Sequence, residues 1–250
     1  MEITVKELLE AGVYFGHPTR QFDPRIRPFL YGKRQGIYII DIEKTIEKLK
    51  EAADFLKKVA SQGKMILFVG TKKQAQNPVK EMAEKCGMPY VNYRWIGGTL
   101  TNFKEIRKRI AKLEEIEKLI ETGKINLYTK KESALIMKEK EELEKKFGGI
   151  RNMTEFPGAL LIVDVKREIN AIKEAKSTQI PIVGIVDTNG NPDLVDYPIP
   201  ANDDGLKSIT LLLSKLTESI IEGKSEVEYM PEIQKGEEKE KTEVEEKEQS

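Results

Sequence analysis

Two stretches of the chain concentrate the residue types that grip a polyanion. Arg94 to Arg109, RWIGGTLTNFKEIRKR, sets Arg94, Lys104, Arg107, Lys108 and Arg109 against Glu105, a net charge of +4. Trp95, the only tryptophan, the Gly97-Gly98 pair and Asn102 precede the main run of cations. Glycine permits backbone angles and close approaches that other residues do not. Cations neutralise phosphates and an aromatic face can stack on a base, so the chemistry is that of nucleic-acid contact. Further upstream, Arg20, Arg25, Arg27, Lys33 and Arg34 stand against Asp23, again +4, and Phe15, Phe22, Phe29 and Tyr31 interleave with the charges of this arm. An extended arm of this kind can lie along a phosphate backbone and stack on bases. Both stretches also fit a plainer reading. The first can be a solvated helix start packed on a core tryptophan, and the second a strap with its rings turned inward and its cations outward.

A second group of residues is acidic. Asp41, Asp164 and Asp187 each close a strand-like segment, as acidic phosphotransfer sites do. A lone aspartate at a strand end is more often a helix cap or turn former. His17, the one histidine, lies between Gly16 and Pro18 and reads first as a structural turn residue. It can also join Asp187, Asp203 and Asp204 around a divalent ion, zinc or magnesium, with one imidazole and up to three carboxylates as ligands. Asp187 to Gly190 starts like a calcium loop, but Pro198 stands where that loop needs a glutamate. There is no GxGxxG and no GxxxxGK[ST]. One histidine and one cysteine, Cys86, leave no credible catalytic triad, disulfide or thiolate zinc cluster. No cofactor is required by these residues.

The elements that must position both groups alternate. Thr4 and Glu7 form a capping box for a short helix that stops at Gly12. Prolines and glycines between Gly12 and Gly36 forbid a long helix. Ile37–Asp41, Met65–Gly70, Tyr90–Tyr93, Ala159–Asp164 and Pro181–Asp187 read as strands. Helices follow over Glu43–Ala60, from a capping box at Thr71–Gln74 to Gly87, over Glu168–Lys176 and over Asp204–Ile221. Short apolar runs alternating with helices predict a doubly wound α/β fold, a parallel sheet of about five strands covered on both faces.

The core is interrupted between Asn102 and Phe147. Phe103, Ile106, Ile110, Leu113, Ile116 and Ile120 recur three or four apart behind an Asn102 cap. Thr122-Gly123 breaks this helix. Thr129 and Glu132 cap a second one with Ile136, Leu143 and Phe147 on its seam. Narrow seams joined by a short loop predict an antiparallel coiled-coil hairpin projecting from the sheet. The expected divisions are residues 1–36 (N-terminal helix and basic arm), 37–101 with 148–222 (α/β core), 102–147 (hairpin) and 223–250 (acidic tail, disordered from about Lys235).

Composition agrees with a nucleic-acid partner. The chain is 39% hydrophobic and 34% charged, with zero formal net charge. That zero hides an asymmetry: Glu222 to Ser250 carries −6, so the body carries +6. No run of about 18 apolar residues spans a membrane, and Met1 leads into a helix rather than a signal peptide. The expectation is a cytoplasmic protein. Abundant Lys and Glu with little Cys and His is a pattern of thermophiles.

Several blocks resemble one family closely. AGVYFGHPTRQFDPRIRPFLYGKRQGIYIIDIEKT, ILFVGTKKQAQ, YRWIGGTLTNF, FPGALLIVD and IVGIVDTNGNPDLVDYPIPANDD are similar, in register from about Thr4 to Glu222, to the "S two" family of bacterial small-subunit ribosomal proteins. The resemblance implies a flavodoxin-like core with a coiled-coil protrusion, bound to the small ribosomal subunit. It implies contact with 16S rRNA between head and body, other small-subunit proteins as partners, and a part in holding the large multi-domain protein "S one". The family's RNA-facing arm corresponds to the stretch around Arg20, Arg25, Arg27, Lys33 and Arg34, and its signature covers Arg94, Trp95, Gly97, Gly98, Thr99, Asn102 and Phe103. His17 and the Asp203-Asp204 pair fall in matching blocks. Gly190 stands where many relatives have cysteine or serine, which eases the turn.

The function expected is therefore structural: rRNA binding in support of translation, with no enzyme activity, membrane or small-molecule substrate. Two rivals remain open at this point. One is a flavodoxin-like enzyme or phosphate sensor using Asp41, Asp164 and Asp187. The other is a coiled-coil interaction module whose RNA contact is incidental.

Overall fold

The structure, a computed structural model, describes residues 3–226. Helix α1 (Val5–Glu10) opens on the expected capping box: the Glu7 amide donates to the Thr4 hydroxyl, and the Thr4 amide donates to the Glu7 carboxylate.

Three strands then form a small antiparallel sheet. They are β1 (Phe15–Pro18), β2 (Leu30–Arg34) and β3 (Ile37–Ile40), in the order β1-β3-β2. This corrects the reading of Ile37–Asp41 as a strand of the parallel sheet. The cause is the turn before it. Arg34 pairs with Ile37 across Gln35-Gly36, whose φ angles are +51° and +78°. Two successive positive φ values make the tight hairpin turn that folds β3 back onto β2. In β3 only Ile40 is fully buried.

The parallel sheet consists of β4 (Ile66–Val69), β5 (Tyr90–Val91), β6 (Ala159–Val163), β7 (Ile182–Val186) and β8 (Tyr197–Pro200). The spatial order is β5-β4-β6-β7-β8, all parallel. Numbered within the sheet, that is 2-1-3-4-5, the flavodoxin-like order. The expected number of strands is therefore found, with one member exchanged: β8 replaces β3. Its Pro198 and Pro200 hide it from a strand reading, yet an edge strand tolerates residues that cannot donate to a ladder. The central strands alternate between two apolar clusters. Ile66, Phe68, Leu161, Val183 and Ile185 face one cluster. Leu67, Val69, Leu160, Ile162, Ile182 and Val186 face the other. This period of two, with every β4, β6 and β7 residue buried, is why those runs carry no polar residue.

Helix α2 (Ile42–Ser61) is capped by Asp41, which accepts from the Glu43 and Lys44 amides. Helix α3 (Gln76–Cys86) does not begin at a Thr71 capping box. Thr71 turns its hydroxyl elsewhere, and the helix starts later with no side-chain cap. Helices α4 (Phe103–Glu121) and α5 (Lys130–Phe147) pack on each other through Ile106, Ile110, Leu113 and Ile116 on one side and Leu143 and Phe147 on the other. Ion pairs join Lys112 to Glu139 and Lys140 to Glu117. The Thr129–Glu132 capping box forms, but Asn102, at the cap position of α4, makes no side-chain cap bond. The roots of this helix pair share the apolar cluster of Leu67, Val69 and Ile162. Helix α6 (Ile169–Ser177) covers the same face, and a last helix, α7, runs over 206–226 on the opposite one. Thus α7 extends past 222. The disorder expected from about Lys235 falls outside the described residues.

Candidate nucleic-acid interface

In a doubly wound sheet a ligand ordinarily lies at the carboxyl ends of the strands, where the strand order reverses. Here that point lies between β4 and β6, and side chains of the chain itself fill it. Lys72, three residues beyond β4, places its Nζ 3.2 Å from Asp164 Oδ2, 2.6 Å from Asp203 Oδ1 and 2.5 Å from Asp204 Oδ1. Asp164 directly follows β6 and takes a φ of +69°, a left-handed conformation that aspartate tolerates better than most residues. Behind Lys72, the Thr71 amide and hydroxyl both donate to Glu168 Oε1, at 2.8 and 2.6 Å, and Arg167 Nε donates to the Thr71 hydroxyl.

The basic arm closes over the same edge. His17 Nδ1 lies 3.0 Å from Asp187 Oδ1 and Nε2 lies 3.0 Å from Asp204 Oδ2. An imidazole facing carboxylates at both nitrogens donates from both only when protonated. The Asp187 hydrogen bond accordingly raises the His17 pKa, against the opposing effect of burial. The His17 amide donates to the Thr188 hydroxyl at 2.7 Å, and the Asp23 amide donates to the Thr188 carbonyl. Gly16 is the residue that allows this approach: a Cβ there would lie 2.4 Å from Thr188 Cγ2. Asn202 adds two bonds, donating its amide to the Val13 carbonyl and its side chain to the Gly12 carbonyl.

The electrostatics of this network follow from its stoichiometry. Asp164, Asp187, Asp203 and Asp204 share one ammonium and one imidazole. Burial opposes the charge of Lys72, but Asp203, Asp204 and Asp164 outweigh it and raise its pKa. Asp203 is pushed up to about 7, first by burial and then by Asp164 and Asp187, with Lys72 pulling the other way. Glu168 is raised by burial, which outweighs its two bonds from Thr71. The four residues read as metal ligands do converge: one ligand atom each from His17, Asp187, Asp203 and Asp204 lie within 4.8 Å of one another. Lys72 and Glu168 were invisible to the sequence reading. Lys72 lies inside the Thr71–Gln74 spacing, and its one signal is its place just beyond a strand at the switch point.

The cations of the two basic stretches divide into committed and uncommitted groups. Arg25 is paired with Asp23, and Lys108 with Glu105. Arg107 Nη1 donates to the Arg151 and Met153 carbonyls, at 3.1 and 3.3 Å, and so braces the root of α4. Arg20, Arg27, Lys33, Arg34, Arg94, Lys104 and Arg109 are exposed, with no ion pair among the described residues. Asn102 is exposed as well. Trp95 is only 9% exposed and donates its indole N–H to Glu174, so its ring is part of the core rather than of the surface. In the arm, Phe22 and Phe29 pack on the same cluster as Trp95 and Ile106, while Tyr31 is 82% exposed. Phe15 is 45% exposed as well, so rings inward holds for two of the four arm aromatics.

Taken together, the edge defines a class: a flavodoxin-like α/β protein whose usual ligand crevice is closed by its own residues. The family model for Ribosomal protein S2 matches residues 8–223. The Small ribosomal subunit protein uS2 of Coprothermobacter proteolyticus is 52% identical over 222 residues, covering 89% of this chain and 83% of that protein. The chain belongs to the ribosomal protein S2 family. It is a structural, non-enzymatic constituent of the small ribosomal subunit, cytoplasmic and ribosome-bound, associated there with rRNA and other ribosomal proteins. The enzyme reading of Asp41, Asp164 and Asp187 falls with that. Asp41 caps a helix, and Asp164 and Asp187 belong to the closed network. Among the described residues no helix is long and apolar enough to cross a membrane.

Proposed function

We propose that this chain binds 16S rRNA through the uncommitted cations of the arm and of the helix-pair root. The observation that carries this reading is the division just described. Arg20, Arg27, Lys33, Arg34, Arg94, Lys104 and Arg109 are exposed and have no acidic partner among the described residues, and both stretches pack on one apolar cluster. Such cations neutralise phosphates and release counterions. Arg25 and Lys108 join them on exchanging their carboxylates for phosphate. Arg107, Trp95 and Asn102 contribute by holding or shaping the surface. In this reading α4 and α5 form a coiled coil that reaches to RNA or to a neighbouring protein.

Recruitment of a neighbouring ribosomal protein, the large "S one" protein, belongs on the small antiparallel sheet. Tyr31 and Phe15 are exposed there beside a concavity of about 490 Å³ that Tyr14, Gly32 and Ile39 also line. Exposed aromatic surface of this kind is a usual anchor for a protein partner.

The His17, Asp187, Asp203 and Asp204 set fits zinc or magnesium by donor type. An ion would take the place of the Lys72 ammonium and of one proton on His17, whose other nitrogen would keep its N–H, so Lys72 is its competitor. Its role would be to tie the arm to the strand edge.

Sedimentation of the tagged protein from lysate, at low and high salt, tests the main reading. Co-migration with the small subunit at low salt, lost at high salt, is expected. Release that ignores salt would overturn a phosphate-dominated interface.

A further inference from the structure

The loop between β5 and α4 has no regular structure of its own, yet it delivers Arg94 and the first turn of α4 to the proposed RNA surface. Trp95, Thr99 and Leu100 bury part of it, and one side chain gathers its donors. Glu174, on α6, accepts five hydrogen bonds from this loop. Its Oε1 accepts from Trp95 Nε1 at 3.0 Å and from the Gly98 amide at 2.9 Å. Its Oε2 accepts from the Leu100 amide at 3.0 Å, the Thr101 amide at 3.2 Å and the Thr101 hydroxyl at 3.2 Å.

The loop is shaped to make these bonds. Gly98 has a φ of +90°, and a Cβ there would lie 3.2 Å from Asn102 Cβ. The Gly98, Leu100 and Thr101 amides converge on one carboxylate, as amides do on anions in backbone nests, while the Thr99 amide between them donates to the Ile96 carbonyl. Here the anion is internal. The carboxylate is half-buried and bonded at both oxygens, so its geometry is fixed on both sides. Its charge is retained: burial raises its pKa, but the bonds from Trp95, Leu100, Gly98 and Thr101 together lower it below the ordinary range.

We infer that Glu174 is a positioning residue for RNA binding: it presets the 94–102 loop so that Arg94, Lys104 and Arg109 meet phosphates as one fixed array. Preorganisation of this kind removes the ordering cost that a flexible loop would incur on binding. This inference rests on the proposed RNA interface. Nothing in the sequence pointed to Glu174, because an internal helix glutamate looks like a solvated residue.

The sole tryptophan makes the test direct, since Trp95 emission reports the anchor and salt-dependent binding reports its effect. The full-length chain and its Glu174→Ala and Glu174→Gln variants are bound to small ribosomal subunits depleted of their own copy of this protein, over a range of salt. Glu174→Ala should shift Trp95 emission to the red, expose it to acrylamide, weaken binding about tenfold and lower the salt slope by about one unit. A loss of mere stability would leave the slope of the folded fraction unchanged. Glu174→Gln keeps the shape, but its amide N–H₂ must face donors on one side, so an intermediate loss is expected. It also decides the matter if the alanine variant fails to fold. Unchanged emission in both folded variants would overturn the anchor. Shifted emission with wild-type affinity and slope would overturn the positioning role. Failure of the wild-type chain to bind would instead overturn the underlying RNA reading.

Discussion

Lys72 Nζ lies 2.6 Å from Asp203 Oδ1, at the point of the sheet where a doubly wound enzyme would hold its ligand. Asp203 is almost wholly buried and Lys72 largely so. Removing one partner of such a pair leaves a buried charge without compensation, at a cost of about 3–5 kcal/mol. Lys72→Met should therefore destabilise the chain strongly in urea unfolding. The double variant Lys72→Met with Asp203→Asn should recover part of the loss. A cost under about 1 kcal/mol for Lys72→Met would mean that the edge is held closed by the arm alone.

The same lysine sets an expectation for metal. Because Lys72 already pairs with Asp203 and Asp204, two of the four proposed ligands, its ammonium is expected to compete with a divalent ion. Zinc should raise the melting temperature of Lys72→Met by more than that of the wild-type chain, since a ligand stabilises the state it binds in proportion to its affinity. His17→Ala should abolish the difference. Equal shifts in the wild type and Lys72→Met would show that Lys72 does not compete.

How much of this was legible in the sequence depends on the range of the interaction. Ile66–Val69, Ala159–Val163 and Ile182–Val186 were readable because a strand buried on both faces needs an unbroken apolar run, which is a local signal. Thr4–Glu7 and Thr129–Glu132 were readable because a capping box spans only four residues. Thr71–Gln74 has the same spacing and failed, because Glu168, 97 positions away, accepts from the threonine amide and hydroxyl, and Arg167 donates to the hydroxyl oxygen that a cap would use. Ile37–Ile40 was placed in the wrong sheet because its partner strand was set by the Gln35-Gly36 turn. The His17, Asp187, Asp203 and Asp204 grouping came from residue type and strand ends. Lys72 and Glu174 were missed because their partners are recruited from elsewhere in the fold, and no local spacing records that.

Arg107 and Arg109 differ by two positions and should behave oppositely. Arg107 donates to two backbone carbonyls, whereas Arg109 is exposed without an ion pair among the described residues. Arg107→Ala should lower stability by about 1–2 kcal/mol and leave the salt slope of subunit binding unchanged. Arg109→Ala should leave the unfolding midpoint in place and lower that slope by about one unit. Reversal of the two outcomes would show that the root of α4 turns over when it binds.

The acid limb of stability should be visible through Trp95. The Glu174 carboxyl is lowered from its ordinary 4.5 by the loop's hydrogen bonds, which outweigh burial. A lowered carboxylate contributes stability that is fully present above its unfolded pKa and is lost as pH falls through its folded pKa. Trp95 emission should thus hold constant from neutral pH down to about 4.5 and shift to the red only below it. In Glu174→Gln that limb should be absent, with emission already shifted at neutral pH and flat through the acid range until global unfolding. An acid shift of equal size in the glutamine variant would assign the titration to another group and leave the loop's anchor without a pH signature.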